Sequence, residues 1–245
     1  MHTYSFPDAK NIVVCGDIHG HFNEVIFKMC VQYQMTDTLL IIAGDCGFGF
    51  EKPGYYDIIF NRNSSRLSKS NNWVVMVRGN HDDPAYFELQ ADGNTLIHHA
   101  RWQTVPDYAV IKACGRMVLC VGGAVSVDRQ IRMCEMDRNL GKRYYWPNET
   151  VRYDAEALEA IRDAGLKVDT VVTHTAPSMC EFQSKQGLAT WAQCDATLLD
   201  DCKAERAAMD DIIVHLKQDK HPLERWYYGH LTHGIVRLMA YGSKC

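Results

Sequence analysis

No apolar run in this 245-residue sequence approaches the roughly 20 residues that a membrane-spanning helix needs. Met1 to Lys10 is polar and lacks the hydrophobic region of a secretory signal, so the expected location is cytoplasmic, with no membrane partner. An excess of either charge is also missing. Lys and Arg total 26 against 30 Asp and Glu, a net charge of -4, and there is no strong basic stripe. Composition therefore gives no attraction to anionic membranes and counts against long duplex DNA. Cysteine is plentiful at ten residues, but no two have Cys-x-x-Cys spacing, which leaves a zinc finger without support. Cys15, Cys114 and Cys120 lie in apolar runs and read as reduced, buried thiols. Repeats, low-complexity stretches and linkers are absent too, so residues 1–245 read as a single domain with room for a sizeable core.

What the chain does have is a rhythm of short apolar runs that end in glycine and polar residues. Ile12-Val13-Val14-Cys15 reads as a buried strand leading to Gly16-Asp17-Ile18-His19-Gly20. His21 to Tyr33 carries Phe22, Val25, Ile26, Met29, Cys30 and Tyr33 at helical spacing, one buried face. Thr38 to Ala43 suits a strand covered on both faces and ends at Gly44-Asp45. A helix to about Ser70 precedes the strand Trp73 to Val77, which ends at Gly79-Asn80-His81-Asp82. This order is the βαβ pattern of a largely parallel sheet. A short helix through Leu89 is expected after Asp83-Pro84, then strands over Leu96 to Val105, Tyr108 to Ala113 and Arg116 to Val121, the last two joined at Gly115. Asp128 to Trp146 reads as a long arginine-rich loop with some helix. A helix follows, capped by Thr150 or Asp154 and stopped at Gly165. Val168 to Thr173 is a strand ending at His174, and Asp195 to His215 is an amphipathic helix with Leu198, Leu199, Cys202, Ala208, Ile212, Ile213 and Leu216 as its buried positions. Arg225 to Tyr228, ending at Gly229-His230, and Ile235 to Ala240 complete the sheets.

In α/β sheets ligands bind beyond the carboxyl ends of strands. Five such ends here offer Asp17 and His19; Asp45; Asn80 and His81; His174; and His230. A set of oxygen and nitrogen donors without thiolates suits manganese, iron, zinc or nickel, and the number of donors suffices for two ions bridged by one carboxylate.

The ordered series Asp17-Ile18-His19, Gly44-Asp45, Gly79-Asn80-His81-Asp82, His174 and Gly229-His230 resembles the calcineurin-like metallophosphoesterases, from Cys15 to His233. Gly122 to Asp128 and Thr173 to Pro177 further resemble a small bacterial and phage branch of that family. The resemblance implies an α/β fold, a four-layer α-β-β-α sandwich of two mixed sheets. It implies two divalent ions, manganese first among the candidates. Asp17 and His19 would hold one ion, Asp45 would bridge, and Asn80, His174 and His230 would hold the other. The implied activity is hydrolysis of a phosphate mono- or diester by metal-activated hydroxide, with His81 protonating the leaving oxygen and Asp82 orienting the loop. The substrate would be small and phosphorylated, a nucleotide among the options; nothing in the sequence sets an oligomeric state.

Two departures from the family pattern matter. The family ends in Gly-His-any-His, whereas this chain reads Gly229-His230-Leu231-Thr232-His233, which puts the last His one residue late. In a strand that shift turns the side chain to the other face, and in a bulge it need not; His233 is retained as a candidate ligand. A catalytically weakened relative acting as a binding or scaffold protein is the alternative this shift raises. The protein phosphatase branch also carries Asp-Arg-Gly soon after the bridging Asp, and here Asp45 is followed by Cys46-Gly47-Phe48-Gly49. Arg129 and Arg132 are candidates to grip phosphate instead, beside Asn80 and His81. Phe48, Phe50, Tyr55 and Tyr56 are candidates to stack on a base.

Overall fold

The computed structural model describes residues 1–138, 143–180 and 188–230 and the backbone of 237–240. One mixed sheet has the order β2 (Asn11–Cys15), β3 (Thr38–Ala43), β4 (Trp73–Val77), β6 (Trp102–Thr104) and β5 (His98–His99). Its first four strands are parallel and β5 is antiparallel. The other runs β1 (Thr3–Phe6), β7 (Ala109–Ala113), β8 (Arg116–Val121), β9 (Thr170–Thr173), β10 (Arg225–Tyr228) and β11 (Arg237–Ala240).

The two-residue period of a strand divides these apolar runs between two cores. In β3, Leu39, Ile41 and Ala43 face the space between the sheets, where they meet Val75, Val77, Val118, Cys120 and Val172. Leu40 and Ile42 point the other way, onto Phe22 and Ile26 of α1 (Phe22–Phe27) and Tyr56, Phe60 and Leu67 of α2 (Pro53–Lys69). Across the second sheet, Leu119, Val121 and Val171 pack on residues from α4 (Ala155–Asp163) and α6 (Leu198–Gln218). The result is the expected four-layer α-β-β-α sandwich. Two further helices, α3 (Arg129–Arg138) and α5 (Leu188–Trp191), lie between β8 and α6 in sequence. Asp154 caps α4 by accepting from the Ala157 N–H at 2.9 Å, and Gly165 follows it with φ +68°.

Some expectations need correction. Leu96 to Val105 is not one strand but a tight antiparallel pair, His98–His99 with Trp102–Thr104. The helix from His21 changes at Lys28 to π geometry, with the Tyr33 N–H donating to the Lys28 carbonyl. That wider turn rotates Tyr33 off the buried face, and it is 59 % exposed. After Asp83 only one 3₁₀ turn forms, Pro84–Tyr86. Leu199 sits on the outer face of α6, and Met209 and Glu205 are buried instead. Strand β1 was not anticipated; it is a short edge strand paired with β7.

Candidate metal centre

The loops after β2 and β3 continue to pair past the strand ends. The Asp17 N–H donates to the Gly44 carbonyl at 3.1 Å, His19 to Asp45 at 2.8 Å, and Gly20 to Cys46 at 2.8 Å. This pairing is reached with left-handed backbone at Asp17 (φ 54°), His19 (φ 43°) and Asp45 (φ 51°), and His230 shares it (φ 51°). Non-glycine residues rarely adopt that region, and such strain clusters at functional sites. Asp82 fixes the neighbouring loop: its carboxylate accepts from the N–H groups of Cys46, Gly47, Phe48 and Gly79, at 2.7–3.0 Å. Asp82 thus orients backbone, as the sequence suggests. Glycine is required where loops touch. A Cβ on Gly79 would lie 2.1 Å from the Asp45 nitrogen, and one on Gly44 would lie 2.2 Å from His174 Nδ1.

Asp45 is almost wholly buried at the middle of the cluster. Its Oδ1 lies 3.1 Å from His174 Nε2 and accepts from the His81 N–H at 2.8 Å, while its Oδ2 lies 3.8 Å from His19 Nε2. His174 donates from Nδ1 to the Ala43 carbonyl at 2.8 Å, so its Nε2 is the atom aimed at Asp45 and, at 3.0 Å, at Asn80 Oδ1. Asp17 presents a buried Oδ2 with no hydrogen-bond partner among the described residues. His230 is buried with its ring 5.0 Å from that of His174, and its backbone N–H donates to the Asp17 carboxylate. Six of the residues marked in the sequence, Asp17, His19, Asp45, Asn80, His174 and His230, are thus gathered at one rim.

The electrostatics of this cluster call for positive charge. Burial disfavours the His174 imidazolium, but the charge and hydrogen bond of Asp45, the charge of Asp17 and the Ala43 carbonyl together outweigh burial and raise the pKa to about 10. Burial raises the Asp17 pKa, with Asp45 adding to it, and His174 counters both. In the protein alone, then, the carboxylates around His174 favour its charged form. A divalent ion in place of that proton would find a nitrogen lone pair, the amide oxygen of Asn80 and an Asp45 oxygen, and the unpartnered Asp17 Oδ2 gives a neighbouring ion a further donor, so the residues fit a metal. Two groups of ligand atoms fall within 4.8 Å of one another, Asp17–Asp45–His174 and His19–Asp45–His81, and both contain Asp45.

His81 stands 4.9 Å ring to ring from His19 and meets the Arg132 guanidinium through its imidazole nitrogens. Burial lowers its pKa to about 4, with Arg132 adding to the effect and Asp45 opposing it. Arg132 is also tied to Asp128 at 2.8 Å. Arg129 is placed differently. Its guanidinium holds Asp195 at 2.5 and 3.0 Å, Asp201 at 2.6 Å and Thr197 at 2.8 Å, joining α3 to the start of α6. Thr232 and His233 lie outside the described residues. Phe48 and Tyr56 are core residues, whereas Phe50 and Tyr55 stay partly exposed.

Sequence reasoning missed three buried polar residues that support the rim. Asn80 donates to Ser126 Oγ at 2.9 Å, and Ser126 donates to Glu149 Oε2 at 2.7 Å. Glu205 accepts from the Val125 N–H and the Thr175 hydroxyl, fastening the loops after β8 and β9 to α6. Burial raises the pKa of both acids to about 7. Only the Gly122 to Asp128 run carried a signal for Ser126; the two acids had none.

Comparison with known proteins agrees with this geometry. The chain is 25% identical over 152 residues to a protein named serine/threonine-protein phosphatase ppe1 of Schizosaccharomyces pombe, covering 58% of this chain and 48% of that one. It is 26% identical over 153 residues to serine/threonine-protein phosphatase PP1-1 of Saccharomyces cerevisiae, covering 58% and 47%. The chain spans about half the length of these curated relatives. The family model for calcineurin-like phosphoesterase matches residues 10–231, a span that takes in every one of the six converging side chains, and on that match the chain belongs to the calcineurin-like phosphoesterase family.

Proposed function

We propose that residues 1–245 act as one phosphoesterase domain that holds two divalent ions around Asp45 and hydrolyses a phosphate mono- or diester of a small substrate. The observation that carries this reading is the position of Asp45: one carboxylate oxygen faces His174 and the other faces His19, so a single side chain belongs to both ligand groups. Asp17 and His19 would hold the first ion, and Asn80, His174 and His230 the second, with Asp45 between them; the Asp17 ligand atom also lies within 4.8 Å of that of His174, which puts Asp17 on the side of the first ion nearer the second. Manganese is the first ion to test, and the cytoplasm is the proposed location. Among the described residues no helix is long and apolar enough to cross a membrane.

When bound, such ions lower the pKa of water and neutralise phosphoryl charge. The chain's own residues do the rest. Arg132 offers a planar guanidinium to phosphoryl oxygens. A phosphoryl group arriving between Arg132 and His81 would draw the guanidinium off the imidazole, and its negative charge would raise the proton affinity of His81. His81 is then fit to give a proton to the departing oxygen. Arg129, held by Asp195 and Asp201, serves the fold in this reading. The yeast relatives are protein phosphatases by name, but this chain lacks the Asp-Arg-Gly run after Asp45, so protein substrates are not carried over.

Purified protein loaded with manganese is expected to hydrolyse a generic aryl phosphate, and Asp45→Asn to abolish this. Full activity in that variant, or less than one ion bound per chain after loading, overturns the proposal; the latter result favours a scaffold.

A further inference from the structure

Beside His19 and His81 the surface opens into a cleft of about 440 Å³ that Phe50, Glu51 and Tyr55 also line. Two large aromatics remain partly open to solvent there, Phe50 at 37 % and Tyr55 at 39 %, although Phe48 before them and Tyr56 after them in sequence are fully buried. The contrast is built into the loop. Gly47 and Gly49 have φ of +96° and +92°, which turns Phe48 inward and Phe50 outward. The buried Tyr56 hydroxyl donates to the Gly47 carbonyl at 2.9 Å and accepts from the N–H groups of Gly49 at 2.9 Å and Glu51 at 3.2 Å. One hydroxyl therefore holds residues 47–51 and sets where Phe50 and Glu51 project. Trp146 braces Phe50 edge-on at 5.3 Å, and the Phe50 ring lies within 29° of parallel to His81, 6.3 Å away.

We propose that this cleft receives the leaving group of the substrate, and that this group is a nucleoside whose base carries paired N–H donors, guanine above uracil. The inference rests on the proposed role of His81, whose position between Asp45 and the cleft puts the protonated oxygen on the cleft side. A nucleoside on that oxygen brings its base to aromatic rings already fixed in place, so stacking requires little further ordering. The Glu51 carboxylate is acceptor-only when ionised. It matches the adjacent ring and amino N–H groups of guanine with two parallel hydrogen bonds. Uracil offers a single N–H between two carbonyl oxygens, which the carboxylate repels.

The test compares guanosine 5′-monophosphate, uridine 5′-monophosphate and ribose 5-phosphate, which share one leaving alcohol and differ only in the base. Hydrolysis is measured on the manganese-loaded protein, and binding is measured by calorimetry on the metal-free protein. The guanosine compound is expected to exceed ribose 5-phosphate in kcat/KM and in affinity by at least about tenfold, with uridine between. The double substitution Phe50→Ala, Tyr55→Ala is expected to bring that ratio near one, and Glu51→Gln to erase the guanine-over-uracil order. Equal handling of the three compounds, or a ratio unchanged in the double variant, overturns the inference. Base-dependent binding without hydrolysis of any phosphate, aryl phosphate included, sustains the cleft assignment and overturns the hydrolytic reading. Hydrolysis of aryl phosphate with no preference for the base does the reverse.

Discussion

The Asn80 side-chain amide donates to the Ser126 hydroxyl, and the Ser126 hydroxyl donates onward to Glu149, so hydrogen-bond polarity runs in one direction along the three residues. The Ser126 N–H also donates to Glu149 Oε1 at 2.6 Å, which commits both carboxylate oxygens as acceptors. The amide nitrogen of Asn80 is thereby turned toward Ser126, and its oxygen faces His174 Nε2. Ser126→Ala removes the acceptor that fixes this orientation. Manganese affinity is expected to fall roughly 10- to 100-fold, the usual range for loss of a group that orients a ligand. Glu149→Gln should act in the same direction, because its NH₂ would face Ser126 Oγ and reverse the chain. A manganese isotherm matching wild type in both variants would refute this.

Close approach of backbone to ligand gives a second prediction. Gly79→Ala places a methyl 2.1 Å from the Asp45 backbone nitrogen and 2.3 Å from its Oδ1, and the backbone there cannot yield as a flexible side chain would. Loss of metal binding and a lower melting temperature are expected. Gly54→Ala is the control: it lies in α2, meets nothing within 4 Å, and should stabilise by about 1 kcal/mol through helix propensity. Thermal melts of the two variants should move in opposite directions.

Arg129 and Arg132 are separable by experiment. Arg132→Ala is expected to raise KM for an aryl phosphate about tenfold or more, as befits loss of a charge-assisted contact, with the smaller loss of melting temperature of the two, because its partner Asp128 is 36 % exposed. Arg129→Ala is expected to lower the melting temperature, because Asp195 is left buried without its partner. If both substitutions shift KM alike, the distinction is wrong.

The same pair predicts a pH dependence of stability. Hydrogen bonding to Arg129 holds the Asp195 pKa down at about 2. A carboxylate whose folded-state pKa is depressed contributes stability above its unfolded value, near 4, and loses that contribution as pH falls toward the folded value. The melting-temperature gap between wild type and Asp195→Asn should therefore be constant above about pH 5 and shrink steadily below about pH 4. A gap that widens on acidification would contradict the ion pair.

Much of the sandwich was legible because apolar runs of strand length are bounded by glycine. β3, β4, β8 and β10 have the limits read from the sequence. The convergence of Asp17, Asp45, Asn80, His174 and His230 was legible for the same reason: each directly follows such a run, at the sheet edge where ligands gather. What escaped was defined by contact alone. Arg129 and Arg132 are three residues apart on α3, yet one meets Asp195 and the other meets His81, a difference that spacing cannot encode. Ser126, Glu149 and Glu205 are buried polar groups whose partners come from distant segments, and a lone serine or glutamate carries no mark of that. Tyr33 failed because a single π turn breaks the helical count.

The left-handed backbone of Asp17, His19, Asp45 and His230 has an evolutionary corollary. Each such residue costs about 1–3 kcal/mol relative to a relaxed backbone, and at His19, whose side chain is 45 % exposed, no buried charge depends on the side chain, so the apo polypeptide would gain heat resistance by trading it for glycine. A lineage released from selection for chemistry should drift toward glycine first at His19 and become hardier as it falls silent.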